Sequence, residues 1–296
     1  MGVLVTGGAG YIGSHIVRLL LERGESVLVA DNLSSGVENR IGSAQFLELD
    51  LAAPDAEDIL LDTFSEHDID SVIHLAARKQ VGESVSKPEW YFSQNIGGMA
   101  NLLGALRRAE ITKFVFSSSA AAYGMPDVEF VTEDLVCQPI NPYGQTKLIG
   151  EWMTANATVS WGLRGVNLRY FNVAGAGWPE LSDTAVLNLV PIVFQSLAQG
   201  VSPRVFGNDF PTPDGSCVRD YVHVLDLAQA HLAAIDHAAN LAGRTAGLGV
   251  DRGRIGERQP GPCLQPHRVH RGARGHDAAL GRLPRPTARS RAGDFR

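Results

Sequence analysis

Tyr143 and Lys147 stand four residues apart in Pro142-Tyr143-Gly144-Gln145-Thr146-Lys147, and three serines, Ser117-Ser118-Ser119, precede them. If the segment after Asn141 is helical, the phenol and the ammonium fall on one face. Asn141 can cap such a helix, and Pro142 suits its first turn. A tyrosine ordinarily ionises near pH ~10, and moving it to about 7 requires roughly 4 kcal/mol of preferential stabilisation of the phenolate. A nearby ammonium and a helix N-terminus both act in that direction. These residue types suit proton abstraction from a substrate hydroxyl, with Tyr143 as base, Lys147 as the charge beside it and Ser119 as hydrogen-bond partner of the hydroxyl. The bland alternative is a surface Tyr-Lys pair beside a polar loop.

A second constellation decides between these readings. Thr6-Gly7-Gly8-Ala9-Gly10-Tyr11-Ile12-Gly13 lies between an apolar run, Val3-Leu4-Val5, and an amphipathic stretch from Ile12 to Glu22. Glycine lets a backbone turn tightly and approach a pyrophosphate, while the helix start offers free N–H groups to it. Gly7, Gly10 and Gly13 therefore predict dinucleotide binding. Asp31 follows Gly13 by eighteen residues, where a carboxylate can accept both ribose hydroxyls and would repel a 2′-phosphate. With Asn32 next to it and no arginine beside it, NAD is expected rather than NADP. Asp50 can reach the adenine, although a solvated carboxylate at a strand end is the plain alternative. With the cofactor bound, a cationic nicotinamide ring also favours the phenolate, and Lys147 can bind the nicotinamide ribose.

The elements that must position these groups alternate as a parallel sheet and its crossover helices do. Strands are expected at Val3–Val5, Ser26–Ala30, Phe46–Leu49, Ser71–Leu75, Phe114–Phe116 and Val166–Phe171. Helical periodicity runs through Ile12–Glu22, Gln94–Arg108, a stretch from about Asn141, Leu187–Leu197 and Asp226–His237, with Asp226 expected as an N-cap. The fold class is α/β, a doubly wound, Rossmann-like parallel sheet with a smaller C-terminal substrate-binding part. The expected division is a cofactor domain over 1–171, a partial nucleotide-sugar region over 172–243 whose 218–238 segment packs back on the first domain, and a tail over 244–296.

The chain has 296 residues, 44% apolar and 20% charged, enough to bury a substantial core. Its net charge of -6 argues against general nucleic-acid binding. No run approaches a membrane span and no leader precedes Val3, so a cytoplasmic protein is expected. Cys137, Cys217 and Cys263 suggest neither a disulfide framework nor a metal site. The charge is unevenly spread: residues 1–243 carry 14 basic against 28 acidic side chains, whereas 244–296 carry 12 arginines against 4 acids and no lysine. Neither a helical nor a strand period is sustained in that Arg-, Gly- and Pro-rich tail, which reads as atypical and disordered. Its composition suggests a reading frame translated out of register.

The serine, Tyr-x-x-x-Lys and glycine signatures together resemble the extended short-chain dehydrogenase/reductase superfamily. Further strings resemble, within it, the UDP-glucose 4-epimerase family: Thr6–His15 (TGGAGYIGSH), Asp31-Asn32-Leu33, His74–Ser84 (HLAARKQVGES), Phe116–Gly124 (FSSSAAAYG), Pro142–Lys147 (PYGQTK), Arg169–Asn172 (RYFN) and Phe206–Asp226 (FGNDFPTPDGSCVRDYVHVLD). The resemblance runs from Met1 to about residue 243. It implies a tightly held NAD, a transient 4-keto sugar that turns over within the site, and a homodimer formed through the helices at 94–108 and 143–156. It further implies cofactor contacts from Tyr11, Ile12, Leu51, Leu75, Ala76, Ala77 and Tyr170. Lys79 and Asn95 would flank cofactor and substrate, Asn172 and Asn188 would hold the nucleotide sugar, and Arg219 would neutralise its phosphates.

Two departures stand out. Ala121 replaces a hydroxyl residue that the family commonly has, and no counterpart of the family's Tyr-Asn-Leu-Gly strand is expected after the Asp226 helix, where the chain reads Ala246-Gly247-Leu248-Gly249. Two alternatives are therefore kept beside epimerisation. One is a related 4,6-dehydratase or decarboxylase, although Ser119-Ala120-Ala121 lacks the acidic pair that the dehydratases usually carry. The other is a cofactor-binding remnant without turnover.

Overall fold

The computed structural model describes residues 2–241 apart from 129, 206, 208 and 211, together with the backbone of Ala246–Gly249 and His267–Arg268. The chain runs β1 (Gly2–Thr6), α1 (Tyr11–Glu22), β2 (Ser26–Asp31), β3 (Gln45–Glu48), α2 (Ala56–Glu66), β4 (Ile69–His74), α3 (Val81–Ser86) and α4 (Pro88–Phe92). A π-helical turn, Ser93–Gly97, then leads into α5 (Gly98–Arg108), β5 (Lys113–Ser117), β6 (Phe130–Val131) and α6 (Pro142–Trp161). After β7 (Arg164–Arg169) come β8 (Asn172–Ala174), α7 (Leu189–Ala198), β9 (Tyr221–His223), α8 (Val224–Ala238), β10 (Ala246–Gly249) and β11 (His267–Arg268).

Seven of these strands form one sheet in the order β10-β7-β5-β4-β1-β2-β3, and every pairing in it is parallel. Such a sheet is covered on both faces, so its strands must be apolar on both. Val3, Val5, Ile73, Val115 and Val166 pack with Ile16 and Val17 of α1 and Leu227 and Ile235 of α8. Leu4, Leu28, Val72, Phe114 and Phe116 face the other way, toward Leu60 of α2, Leu102 and Leu106 of α5 and Ala157 of α6. The direction of winding reverses between β1 and β4, which is where doubly wound sheets place their ligands, beyond the carboxyl ends of the strands. The fold is the Rossmann-like α/β architecture expected from the sequence.

Four expectations need correction. A strand does follow α8: Ala246–Gly249 pairs in register with Val166–Arg169. An edge strand is held mainly by its backbone, so the Ala-Gly-Leu-Gly text needs no apolar alternation to pair there. Leu248 and Gly249 also match the last two residues of the family's Tyr-Asn-Leu-Gly, so the departure begins later than residue 243. A second tail segment, His267–Arg268, pairs antiparallel with Phe130–Val131; the other tail residues lie outside the described ones. Third, α8 begins earlier than expected and is capped by His223, whose Nδ1 accepts from the Leu225 N–H at 3.2 Å. Asp226 sits in the first turn instead, where its charge still complements the helix dipole. Finally, the expected strand Val166–Phe171 ends at Arg169, and Asn172–Ala174 pairs with Tyr221–His223 instead.

Candidate functional site

The glycine turn and the Tyr143 cluster lie at the same edge of the sheet, because β1, β4 and β5 are neighbours and all point there. Gly7 has φ +71°, and a Cβ on it would stand 2.7 Å from the Ala76 nitrogen. A Cβ on Gly13 would stand 2.2 Å from the Gly7 carbonyl oxygen. Both positions therefore require glycine, the first for backbone conformation and the second for the close approach of helix to turn. Gly10 is the N-cap of α1 in extended conformation, with Tyr11 and Ile12 opening the helix. The Leu75 N–H donates to the Thr6 carbonyl at 3.0 Å, fastening the β4 end beside the turn and bringing Leu75, Ala76 and Ala77 to its flank.

Asp31 is buried at the end of β2 and accepts from the Ala9 N–H at 3.1 Å and the Leu33 N–H at 2.9 Å. Burial pushes its carboxyl up, and those two N–H groups pull it back. Each carboxylate oxygen keeps a further lone pair for a ribose hydroxyl. Asn32 and Asp50 accept from the N–H groups of Ser34 and Ala52, so each also builds its own turn. Leu51 is buried beneath that rim. A glycine turn that a side chain would block, a helix start behind it and a carboxylate at the next strand end together fit a dinucleotide.

Around Tyr143 the local folding is explained by its cap. Asn141 accepts from the Gly144 N–H at 2.8 Å, Pro142 fills the first turn, and Tyr143 and Lys147 share the inner face of α6. Lys147 is buried, donates to the Ser117 carbonyl at 2.8 Å, and lies 4.9 Å from the centre of the Phe116 ring and 6.0 Å from that of Tyr143. Burial pulls its ammonium down to about 8, against the pull of Glu151. The surface-pair alternative is excluded by this burial. Ser119 caps a short 3₁₀ turn, its hydroxyl oxygen accepting from the Ala121 N–H at 3.1 Å. In the protein's own field burial pushes the Tyr143 phenol up, against the opposing pull of Ser119. The ammonium is bonded to a carbonyl and not to the phenol, and the expected lowering of the phenol is for the site with its cationic nicotinamide ring in place.

Several supporting residues were not anticipated. Glu151 accepts both guanidinium arms of Arg169, at 2.9 and 2.5 Å, and also the Ser118 hydroxyl. Arg169 further donates to the Glu133 carbonyl and covers the Tyr123 ring. This buried pair ties the middle of α6 to the ends of β5 and β7 around the serine turn. Its one sequence signal is that Glu151 continues the Tyr143, Lys147 series by four residues. Tyr170 and His231 both meet the Ser117 hydroxyl, at 3.1 and 2.7 Å. Asn95 stands in the π-helical turn; it accepts from the Arg78 N–H, and donates to the Arg78 carbonyl and to Thr146 beside Lys147. π-Turns often mark functional positions.

The remaining predicted residues are more scattered. Lys79 and Arg219 are exposed, with Arg219 donating to the Val218 carbonyl. Asn172 donates to the Asp220 carbonyl at 3.1 Å. Asn188 is the N-cap residue of α7 rather than a position on its face, and its amide donates to Asp183 at 2.6 Å. The segment between Asn172 and Asn188 is itself fastened to the start of α1, where Tyr11 donates to the Gly175 carbonyl at 2.5 Å and the Gly177 N–H to His15 at 3.0 Å.

The NAD dependent epimerase/dehydratase family matches residues 3–249. A UDP-glucose 4-epimerase of Halalkalibacterium halodurans is 46% identical over 242 residues, covering 80% of this chain and 71% of that protein. Among solved structures, UDP-glucose 4-epimerase from Brucella ovis in complex with NAD superposes with a TM-score of 0.80 at 41% identity, covering 86% of this chain and 78% of the other. The Bifidobacterium longum UDP-glucose 4-epimerase in complex with NAD+ and UDP gives 0.77 at 35% identity, covering 84% and 78%.

Proposed function

The chain belongs to the NAD dependent epimerase/dehydratase family, and from that premise we propose its reaction: NAD-dependent epimerisation at C4 of a UDP-hexose, interconverting UDP-glucose and UDP-galactose. The protein is an isomerase. The observation that carries this reading is the buried Lys147, held by the Ser117 carbonyl and 6.0 Å from the centre of the Tyr143 ring, at the sheet edge that also carries the glycine turn.

Bound NAD supplies a hydride acceptor for the sugar and returns what it took. Gly7, Gly10, Tyr11, Ile12 and Gly13 leave room for its pyrophosphate, and Asp31 and Asn32 take the adenosine ribose. Asp50, Leu51, Leu75, Ala76 and Ala77 line the rim, and Tyr170, Lys147 and Asn95 border the nicotinamide side. Tyr143 removes the proton of the sugar 4-hydroxyl while Ser119 holds the oxygen, leaving a 4-keto sugar. That ketone turns about its link to the pyrophosphate so that C4 would offer its other face to the returning hydride, and Tyr143 gives the proton back to the 4-oxygen, so no net oxidation results. Lys79, Asn172, Asn188 and Arg219 hold the nucleotide end. A firm grip there and a loose one on the sugar suit a reaction in which the sugar must turn over.

In this reading residues 1–171 form the cofactor domain and 172–243 the nucleotide-sugar side. The working form is a cytoplasmic homodimer engaged in galactose metabolism, with Trp152 and Val159 exposed on α6 as apolar contacts for the second copy. Among the described residues no helix is long and apolar enough to cross a membrane. The test is incubation of pure, NAD-loaded protein with UDP-galactose. Formation of UDP-glucose is expected; folded, NAD-bound protein that forms no 4-epimer contradicts the activity.

A further inference from the structure

Tyr11, His15 and Arg18 follow one another at four and three residues along α1 and so share a face. All three meet the chain that leaves β8. The Tyr11 O–H donates to the Gly175 carbonyl at 2.5 Å, the His15 Nε2 accepts from the Gly177 N–H at 3.0 Å, and the Arg18 guanidinium lies 5.2 Å from the centre of the Trp178 ring. His15 is wholly buried, and its Nδ1 lies 2.8 Å from the Tyr11 carbonyl oxygen. A carbonyl only accepts, so Nδ1 carries the proton and Nε2 is left as the acceptor that the Gly177 N–H requires. Burial pulls the ring below its ordinary value, which favours that neutral form.

A second tie leaves from the loop after Asp31. The Val37 N–H donates to the Ala9 carbonyl of the glycine turn at 3.0 Å, and the Arg40 N–H donates to the Val37 carbonyl at 3.1 Å. The buried Arg40 side chain then donates to the Ser182 carbonyl. The next residue, Asp183, accepts from the Ala185 N–H at 3.1 Å and from the Asn188 amide at 2.6 Å. Asn172 stands at the start of β8, whose last residue, Ala174, precedes Gly175. Residues 175–182 are thus bonded at both ends to the cofactor half, and Asn172 and Asn188 flank them. Since α7 buries none of its residues, Asn188 is anchored from this side, through Asp183.

We propose that His15 and Arg40 are positioning residues for the nucleotide end of the UDP-sugar: they hang residues 175–182, and with them Asn172 and Asn188, from the backbone that receives the cofactor. The proposal rests on the epimerase reading and adds two residues to it. The nucleotide stays held while the sugar turns, so both ties act alike on the bound substrate and on the transition state. Loss of such uniform binding raises KM and leaves kcat in place.

The test measures UDP-glucose binding to NAD-loaded protein by calorimetry, turnover on the same samples, and amide hydrogen exchange of residues 175–183 by mass spectrometry. His15→Phe leaves the Gly177 N–H without its acceptor, and Arg40→Met removes the donor to the Ser182 carbonyl. Each is expected to speed exchange of the stretch and to weaken UDP-glucose binding about tenfold. KM should rise to match, with kcat within about twofold of the parent and NAD retained. In His15→Gln the carboxamide oxygen can again accept from Gly177, and binding is expected to return to within about threefold of the parent, which a loss of packing alone would not allow. Unchanged exchange in His15→Phe overturns the tie, and faster exchange with unchanged UDP-glucose binding overturns the positioning role. Should His15→Phe fail to fold, Arg40→Met cuts the second tie and the same two readings decide. A parent protein that binds UDP-glucose but forms no 4-epimer contradicts the activity, while the two ties are judged on binding and exchange.

Discussion

The two sides of the site are built differently. On the β5–α6–β7 side, the polar groups near Tyr143 bond one another: Lys147 to the Ser117 carbonyl, Ser118 and Arg169 to Glu151, Asn95 to Thr146. On the side after β8, α7 has the strongly apolar sequence Leu189–Ala198, yet no residue of it is buried, and Leu189, Phe194 and Leu197 are all more than half exposed. The difference teaches that the two parts rest on separate physical foundations. The Tyr143–Lys147 cluster is held by the sheet with no bond to α7, whereas Asn188 stands at the head of a helix that buries none of its residues.

That contrast can be broken at its strong end. Arg169→Met leaves Glu151 in the interior without its partner, and removing one member of a buried pair costs about 3–5 kcal/mol. Chemical denaturation should show a loss of that size. A loss below about 1 kcal/mol would mean that the pair is solvated and does not lock the serine turn.

Acid offers a sharper form of the comparison, because the buried histidines His74 and His231 lie in the sheet side and α7 has no titratable side chain. Burial pulls them from 6.5 to about 3 and about 4. Below about 6.5 the unfolded chain takes up protons that the folded one refuses, so stability falls as pH is lowered toward 4. The slope approaches about 1.4 kcal/mol per pH unit for each ring. Denaturation midpoints measured between pH 7 and 4 should decline accordingly, and the slope should be smaller in His231→Gln, with His74 and the likewise buried His15 supplying the rest. The smallest effect is expected on α7, where Phe194→Gln should change stability by no more than about 0.5 kcal/mol. A large loss there would show that the helix is covered in solution.

What the sequence made legible follows the range of the interactions. The Gly7–Gly13 turn and the Asn141-capped Tyr143–Lys147 face are local, and local spacing is enough to read them. His231, Ser117 and Tyr170 come from three elements far apart in the chain and meet only because α8 packs across the sheet, so no spacing announces them. Arg169 and Glu151 are hidden for the same reason. The Ala246–Gly249 strand was missed for another: an edge strand with two glycines pairs through its backbone and leaves almost no side-chain pattern. Asp226 misled because acidic residues favour both the cap and the first turn, and His223 took the cap.

The central claim is that one tyrosine moves the proton of the sugar 4-hydroxyl. The most direct measurement is turnover of UDP-galactose by NAD-loaded Tyr143→Phe, with NAD retention confirmed on the same sample. A fall in kcat of about 10²–10⁴-fold with the cofactor still bound is expected of a lost general base. Turnover within a factor of two of the parent protein would contradict the account.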